Sequence, residues 1–397
     1  MISYTVMLDI FFDPIDLAKI GYFKDPFLPC LGDCVKCYSS EENFPEIVPN
    51  SLAIIGLNED RGSRDNAGCA AAADPIRHYL YALTQPSSGM RIADLGNLKR
   101  GNTLQDSYVV LEEVISLLLD QNVTILLLGG SHDLTFPIYK GYETVGRVMN
   151  ICSIDSRFDL GGEAEINSHN YLKHIVMQQP NYLFNFTNIG YQTYFVGNEY
   201  INLMEELHFD AFRVGAIQSD IEHAEPLLRN ADLVSVDISA VRQSDAPGNC
   251  RPSPHGFYGE QLCQLARFAG MSDKVSSFLL SEYNPSHDRD GQTAHMLAHA
   301  AWFFIEGFFA RMGDYPYRDR QNYRRYTVEM QSHGMEVVFY KSKKSDRWWI
   351  EVPCDNNERK ERYGRHLLVP CNYSDYERAM QNEVPELWWK YYERMKN

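Results

Sequence analysis

The sequence predicts a three-layer α/β/α sandwich around an eight-stranded, mostly parallel sheet, and three observations carry that expectation. Eight short apolar runs recur between residues 50 and 285, separated by longer segments of amphipathic spacing, the alternation produced when buried parallel strands are joined by covering helices. The composition, 44% hydrophobic and 23% charged over 397 residues, supplies a sizeable core without low-complexity tracts. Polar clusters stand directly after several runs, where loops converge on the carboxyl rim of such a sheet.

In chain order the strands are expected over Leu52–Leu57, Met90–Leu95, Val123–Leu128, Val148–Ile154, Tyr182–Ile189, Ala211–Ile217, Ala231–Ile238 and Val275–Leu280. Residues 50–318 then form the sandwich, residues 1–49 an N-terminal extension and residues 319–397 an aromatic-rich C-terminal extension. The last holds four of the five tryptophans, as Trp348-Trp349 and Trp388-Trp389. A hairpin is expected from Glu336–Tyr340 and Arg347–Val352 around the basic turn Lys341 to Asp346. Ser374-Asp375-Tyr376-Glu377 fits a capping box, and Pro385 is placed to start a further helix. Paired tryptophans fill the edge of a core more readily than they anchor a partner, so packing as a lid is the expectation over an interaction surface.

Lys plus Arg is 37 against Asp plus Glu 53, a formal charge of −16 that would repel a phosphate backbone and excludes nucleic acid as a partner. The ends differ: residues 1–318 carry a net −18 and residues 319–397 a net +2. The start, Met1 to Asp9, lacks a basic region followed by an apolar one, and no 18-residue uncharged apolar run occurs; no membrane partner and a cytoplasmic location are expected. Nine cysteines, odd in number and sparse, suit reduced thiols better than a disulfide framework. In that setting the sequons at Asn185 and Asn372 carry no weight.

The rim clusters read Gly129-Gly130-Ser131-His132-Asp133, Asp155-Ser156-Arg157-Phe158-Asp159, Ser235-Val236-Asp237-Ile238-Ser239 and Glu282-Tyr283-Asn284-Pro285. Aspartates after two strands and a histidine after a third can converge on a hard or borderline divalent cation. Aspartates at strand ends also serve as helix caps and loop stabilisers, so spacing leaves both readings open.

The ordered set resembles the ureohydrolase family of arginases, agmatinases and formimidoylglutamases, whose motifs are Gly-Gly-Asp-His-Ser, Asp-Ala-His-x-Asp, Ser-x-Asp-x-Asp and Glu-x-Asn-Pro. Asp245-Ala246-Pro247-Gly248 and Asp74-Pro75-Ile76-Arg77 are supporting matches, and the likeness covers roughly residues 50–315. The resemblance implies an arginase-like sandwich, a homo-oligomer, and a two-manganese site whose bridging hydroxide attacks a guanidinium or amidine carbon. Matched by position, His132, Asp155, Asp159 and Asp237 remain as metal ligands, with Asp155 central to catalysis. The family's second histidine is replaced by Arg157 and its last aspartate by Ser239.

In the family both missing residues serve the second metal, and the four retained ones complete the shell of the first. A guanidinium has donors and no lone pair, and it stays charged, so Arg157 is expected to exclude the second ion. Three aspartates, Arg157 and one dication sum to neutrality; the expected cofactor is one Mn2+ or another divalent cation, or none. The resemblance assigns Glu282 to the substrate's guanidinium, against a plain rim salt bridge, and Arg157 is expected to reach toward Glu282. His169 lies roughly where arginases keep a proton-shuttling histidine, though Asn167-Ser168-His169-Asn170 matches loosely and a solvated loop histidine is the plainer reading. The reversed order Ser131-His132-Asp133 leaves the support of His132 unassigned.

Two further patterns compete. Cys30-Leu31-Gly32-Asp33-Cys34-Val35-Lys36-Cys37 has the spacing by which radical SAM enzymes hold a four-iron cluster, although Lys36 stands where those enzymes usually carry an aromatic residue. Three thiolates can also bind zinc, and the plain reading is three reduced thiols. His295 and His299 are four apart on a helix from Thr293 toward Phe309, a zinc spacing, but their Ala, Trp and Phe neighbours predict two partly buried imidazoles in a packed helix. The expected function is therefore a diverged ureohydrolase that binds at most one metal, with hydrolysis impaired or lost. The alternative is a working amidine hydrolase most like formimidoylglutamase, using one metal with Arg157 as electrostatic substitute.

Overall fold

The computed structural model describes residues 8–396 apart from 88, 318, 319, 332, 333 and 355. The expected break between Arg318 and Asp319, and the first seven residues of the chain, lie outside the described residues.

Ten strands form the main sheet: β1 (Phe12–Asp13), β2 (Lys36–Cys37), β3 (Leu52–Leu57), β4 (Ile92–Leu98), β5 (Thr124–Leu128), β6 (Met149–Ile154), β7 (Leu183–Tyr191), β8 (Asp210–Arg213), β9 (Leu233–Asp237) and β10 (Ser277–Ser281). Their order is β1-β4-β3-β5-β10-β9-β6-β7-β8, with β2 also on β4, and every pairing except β1 with β4 is parallel. Residues of β3, β5, β6 and β10 are buried throughout, as required of strands covered by helices on both faces. Two large apolar clusters, one containing Leu126 and Phe278 and the other Leu127 and Leu279, fill those faces.

The expected count of eight strands is corrected to ten, because β1 and β2 come from the N-terminal extension and cover the free edge of β4, as exposed edges need. The run Ala211–Ile217 is also corrected. It splits into β8 and a helix over Val214–Ser219, since an edge strand needs few residues and the remaining apolar positions serve Ile217, which is fully buried. Arg77, in the helix Ala73–Ala82, is likewise fully buried and makes a bidentate pair with Asp94 at 2.8 and 2.9 Å, a structural anchor distant in role from the rim.

The C-terminal extension builds a second, antiparallel sheet of β11 (Tyr323–Met330), β12 (Met335–Ser342), β13 (Trp348–Glu351) and β14 (Leu368–Cys371), followed by helices over Tyr373–Met380 and Glu386–Lys396. The expected hairpin is β12–β13, and Pro385 does precede a helix. The capping box is displaced: Asn372 is the cap and Asp375 its reciprocal partner, because the helix starts two residues earlier than Ser374 would allow. Trp348, Trp349 and Trp388 are buried, and one apolar cluster joins Trp348 and Trp388 to Val148 and Phe184 of the sandwich. Arg229 donates to the carbonyls of Trp348 and Cys371 at 3.0 and 3.3 Å, and Arg365 pairs with the fully buried Asp232 at 2.7 Å. Val148, Asp232 and Lys274 stand just before β6, β9 and β10, so the module packs over the amino ends of the strands, opposite the rim.

Candidate metal centre

Four adjacent strands, β5, β10, β9 and β6, carry the four rim motifs. In their register Ile154 pairs with Val236, Val236 with Leu280 and Leu280 with Leu128. Asp155, Asp237, Ser281 and Gly129 therefore follow at one level, and the parallel arrangement aims all four loops at one crevice. Gly129 and Gly130 let the chain turn sharply beneath it. Both have positive φ, and a Cβ on Gly130 would stand 2.4 Å from Leu134 Cδ1.

The turn delivers His132 fully buried. Its Nδ1 faces three carboxylates: Asp159 Oδ2 at 3.0 Å, Asp155 Oδ2 at 3.6 Å and Asp237 Oδ2 at 3.8 Å. The ligand atoms of His132, Asp155 and Asp237 all lie within 4.8 Å of one another, the one such group of His, Cys, Asp or Glu among the described residues. Asp155 Oδ2 is buried and makes no hydrogen bond among the described residues, which leaves its lone pairs open to an external partner. One imidazole nitrogen with carboxylate oxygens suits a divalent cation such as manganese, so the residues fit such a metal.

Electrostatics follow from the crowding. Burial, then Asp159 and Asp237, push the Asp155 carboxyl well above the usual range. Burial does the same to Asp159, opposed first by a hydrogen bond with Asp155 and then by the Arg157 charge. Glu282 is pushed up to about 8 by burial and by Asp237, against hydrogen bonds from Asn66 and His132.

Glu282 faces the same cleft, its Oε1 accepting the His132 backbone N–H at 2.8 Å and its Oε2 accepting Asn66 Nδ2 at 2.8 Å. The expected contact of Arg157 with Glu282 is corrected. The Arg157 guanidinium turns instead to Phe195, donating to its carbonyl at 3.2 Å and lying 4.3 Å from its ring centroid. Phe195 offers that guanidinium an aromatic face and a carbonyl together. Arg157 still lines the cleft beside Asp159. Ser239 Oγ, a neutral hydroxyl, lies 3.1 Å from Ser156 Oγ.

His169 is at the mouth, half-buried, with Nε2 3.8 Å from Asp65 Oδ2; burial holds its pKa below the ordinary value. Asp65 also pairs with Arg251 at 3.0 Å. The cleft holds about 40 Å3 of free space, room for a few waters.

Several contributors escape sequence reasoning. Ser235 Oγ meets His132 Nε2 at 2.8 Å and Thr135 Oγ1 at 2.7 Å, the support that the motif order left unassigned. A signal existed, since Ser235 precedes Asp237 by two and a strand points alternate residues to one side. Asn66 and Phe195 come from loops outside any motif. Asn188 donates to the Arg157 carbonyl at 2.7 Å and fixes that loop from β7.

The competing patterns do not assemble. Cys30 Sγ accepts the Asp25 N–H at 3.4 Å while Cys37 Sγ lies 3.5 Å from Tyr81 Oη, and all nine cysteines are free thiols. His295 and His299 are exposed, which corrects the expected partial burial. The alanines of that helix take its buried face and leave the imidazoles outside, where His295 stacks on Tyr79 at 4.5 Å.

The model of the Arginase family matches residues 50–305. The chain belongs to the arginase family. Among curated relatives of this arginase-family chain, the formimidoylglutamase of Staphylococcus aureus strain MRSA252 is 23% identical over 279 residues, covering 65% of this chain and 87% of that protein. Formimidoylglutamase from Bacillus subtilis superposes with a TM-score of 0.66 at 17% identity, over 75% of this chain and 97% of that one. Trypanosoma cruzi formiminoglutamase with Mn2+ gives 0.60 at 18%, over 66% and 94%. At these identities the structural likenesses speak for the fold. No helix among the described residues is long and apolar enough to cross a membrane.

Proposed function

We propose that this arginase-family chain holds at most one divalent cation, of which manganese is the first candidate, and that arginase-type hydrolysis is impaired in it. One observation carries the reading: His132, Asp155 and Asp237 bring ligand atoms together with Asp159 beside them, while Arg157 and Ser239 offer a second ion a guanidinium and a neutral hydroxyl. A guanidinium cannot ligate, and its fixed charge repels a neighbouring cation.

His132, Asp155, Asp159 and Asp237 would hold the ion. When bound, such a cation makes water a competent nucleophile near neutral pH. Glu282, with both oxygens fixed by donors, orients a small guanidinium or amidine ligand through paired N–H···O bonds. Asp155 is the buried carboxylate nearest the chemistry, and His169 at the mouth exchanges protons with solvent. We further take the protein to act in the cytoplasm as a homo-oligomer.

A second reading is amidine hydrolysis of the formimidoylglutamase type with one metal, Arg157 supplying the missing charge. It is favoured by Glu282, which is buried and makes no ion pair among the described residues, so that a cationic substrate would be the partner that draws it into its charged form. The test is urea or formamide release from arginine, agmatine and formimidoylglutamate with added manganese. Turnover near background supports the first reading. Clear turnover abolished by Asp155→Asn overturns it in favour of the second.

A further inference from the structure

A cleft of about 630 Å3 lies between the amino ends of the strands and the C-terminal module, at the far end of the sheet from the metal centre. Its floor is made by residues that precede β3, β5, β6 and β10, and its wall by the segment leading into β11 and the turn between β12 and β13. Arg147, Lys274, Arg311, Lys344 and Arg365 line it, against Asp273 as the one carboxylate among the described lining residues. In a chain of net charge −16, such a concentration of cations is against the average.

Part of this basic lining has structural work. Arg311 donates to the carbonyls of Gly270 and Val275 at 2.9 and 2.7 Å and to Thr124 Oγ1 at 3.2 Å, and Lys344 donates to the carbonyls of Met312 and Gly313 at 3.3 Å. Neutral acceptors satisfy these N–H groups and form no ion pair with them. Arg365 and Lys274 share a single carboxylate, Asp232, behind the cleft wall. Asp273 spends its oxygens on the backbone N–H groups of Gly313 and Asp314. Arg147 has no structural duty of this kind: among the described residues its side chain makes neither a hydrogen bond nor an ion pair. Burial lowers the Arg311 pKa to about 10, with the nearby Asp273 charge only partly offsetting it.

We propose that this cleft binds a small phosphate-bearing anion, with Arg147 and Lys344 as its direct ligands and Arg311 and Arg365 supplying field from beneath. Guanidinium forks match phosphate oxygens bidentately, and a partly enclosed cationic cleft concentrates such anions. The metal centre, ringed by carboxylates, would repel the same ligand, so the two sites take ligands of opposite charge.

The experiment is titration calorimetry of the full chain, stripped of divalent metal by a chelating resin, with inorganic pyrophosphate and with ATP as probes at low salt. Binding of one probe per chain that weakens as salt rises is expected, and detection with either probe supports the site. Arg147→Gln and Lys344→Gln should each weaken it about tenfold, the loss of a charge-assisted hydrogen bond, while Arg289→Gln, on an exposed loop elsewhere, leaves it unchanged. Absence of binding at millimolar probe overturns the proposal. So does equal affinity in the Arg147 and Lys344 variants, or equal weakening by Arg289→Gln.

Discussion

The backbone N–H of His132 donates to Glu282 Oε1 at 2.8 Å, so the residue that turns its imidazole toward the aspartates also fixes the carboxylate across the cleft. The loop after β5 and the loop after β10 are thereby hydrogen-bonded to each other. Asn66 completes the clamp, donating to Glu282 Oε2 at 2.8 Å and accepting from Asn284 Nδ2 at 3.0 Å. Asn66→Ala removes a donor from a buried carboxylate and is expected to destabilise the fold by about 1–3 kcal/mol. Urea unfolding measures this; an unchanged midpoint would mean that water replaces the amide without penalty.

Ser235→Ala leaves the His132 ring without its Nε2 partner. Loss of such a support lowers metal affinity by about 10–100-fold in comparable sites. Equilibrium dialysis with Mn2+ should show that fall with the secondary structure retained. Unchanged affinity would show that the ring is held by packing against Tyr171, 4.7 Å away, rather than by the hydroxyl.

How far the site was legible follows from where its parts sit. Residues on strand ends, His132, Asp155, Asp159, Asp237 and Glu282, are readable because apolar runs locate the strands and parallel strands put their carboxyl ends together. Asn66 and Phe195 sit in loops whose paths no periodicity describes. The direction of Arg157 follows from the ring and carbonyl of Phe195, which are visible only once that loop is placed. In the C-terminal module the β12–β13 hairpin is legible from its apolar runs. β11 is not, because Arg324, Arg325 and Glu329 face solvent from an edge strand and mask the alternation.

The module should matter for stability and not for metal binding. Trp388 is buried, donates to the Glu351 carbonyl at 3.1 Å and joins the cluster with Phe184. Trp388→Ala is expected to destabilise the fold by about 3–5 kcal/mol while leaving Mn2+ affinity unchanged, since the module packs on the opposite end of the sheet. A parallel fall in affinity would show that the two ends are coupled.

The junction is also acid-sensitive. His366 is buried neutral, stacked on Phe184 at 4.4 Å, with burial and then Lys274 holding its pKa well below 6.5. The unfolded chain binds the proton more readily, so this contribution is complete above about pH 6.5 and is lost as pH falls below it. Lys274 is lowered by burial to about 8 from 10.5; its contribution is complete above pH 10.5 and has gone by about pH 8, so stability rises with pH between them. Thermal unfolding across both windows checks the signs. His366→Gln should flatten the acid limb, and an acid limb unaltered in that variant would place the sensitivity elsewhere.

Metal content decides the central claim. Manganese per chain, counted by elemental analysis after dialysis against excess Mn2+, is expected to reach at most one in the native sequence, and to rise toward two when Arg157→His and Ser239→Asp are combined. Two manganese ions per chain in the native protein, with Arg157 in place, would contradict the account.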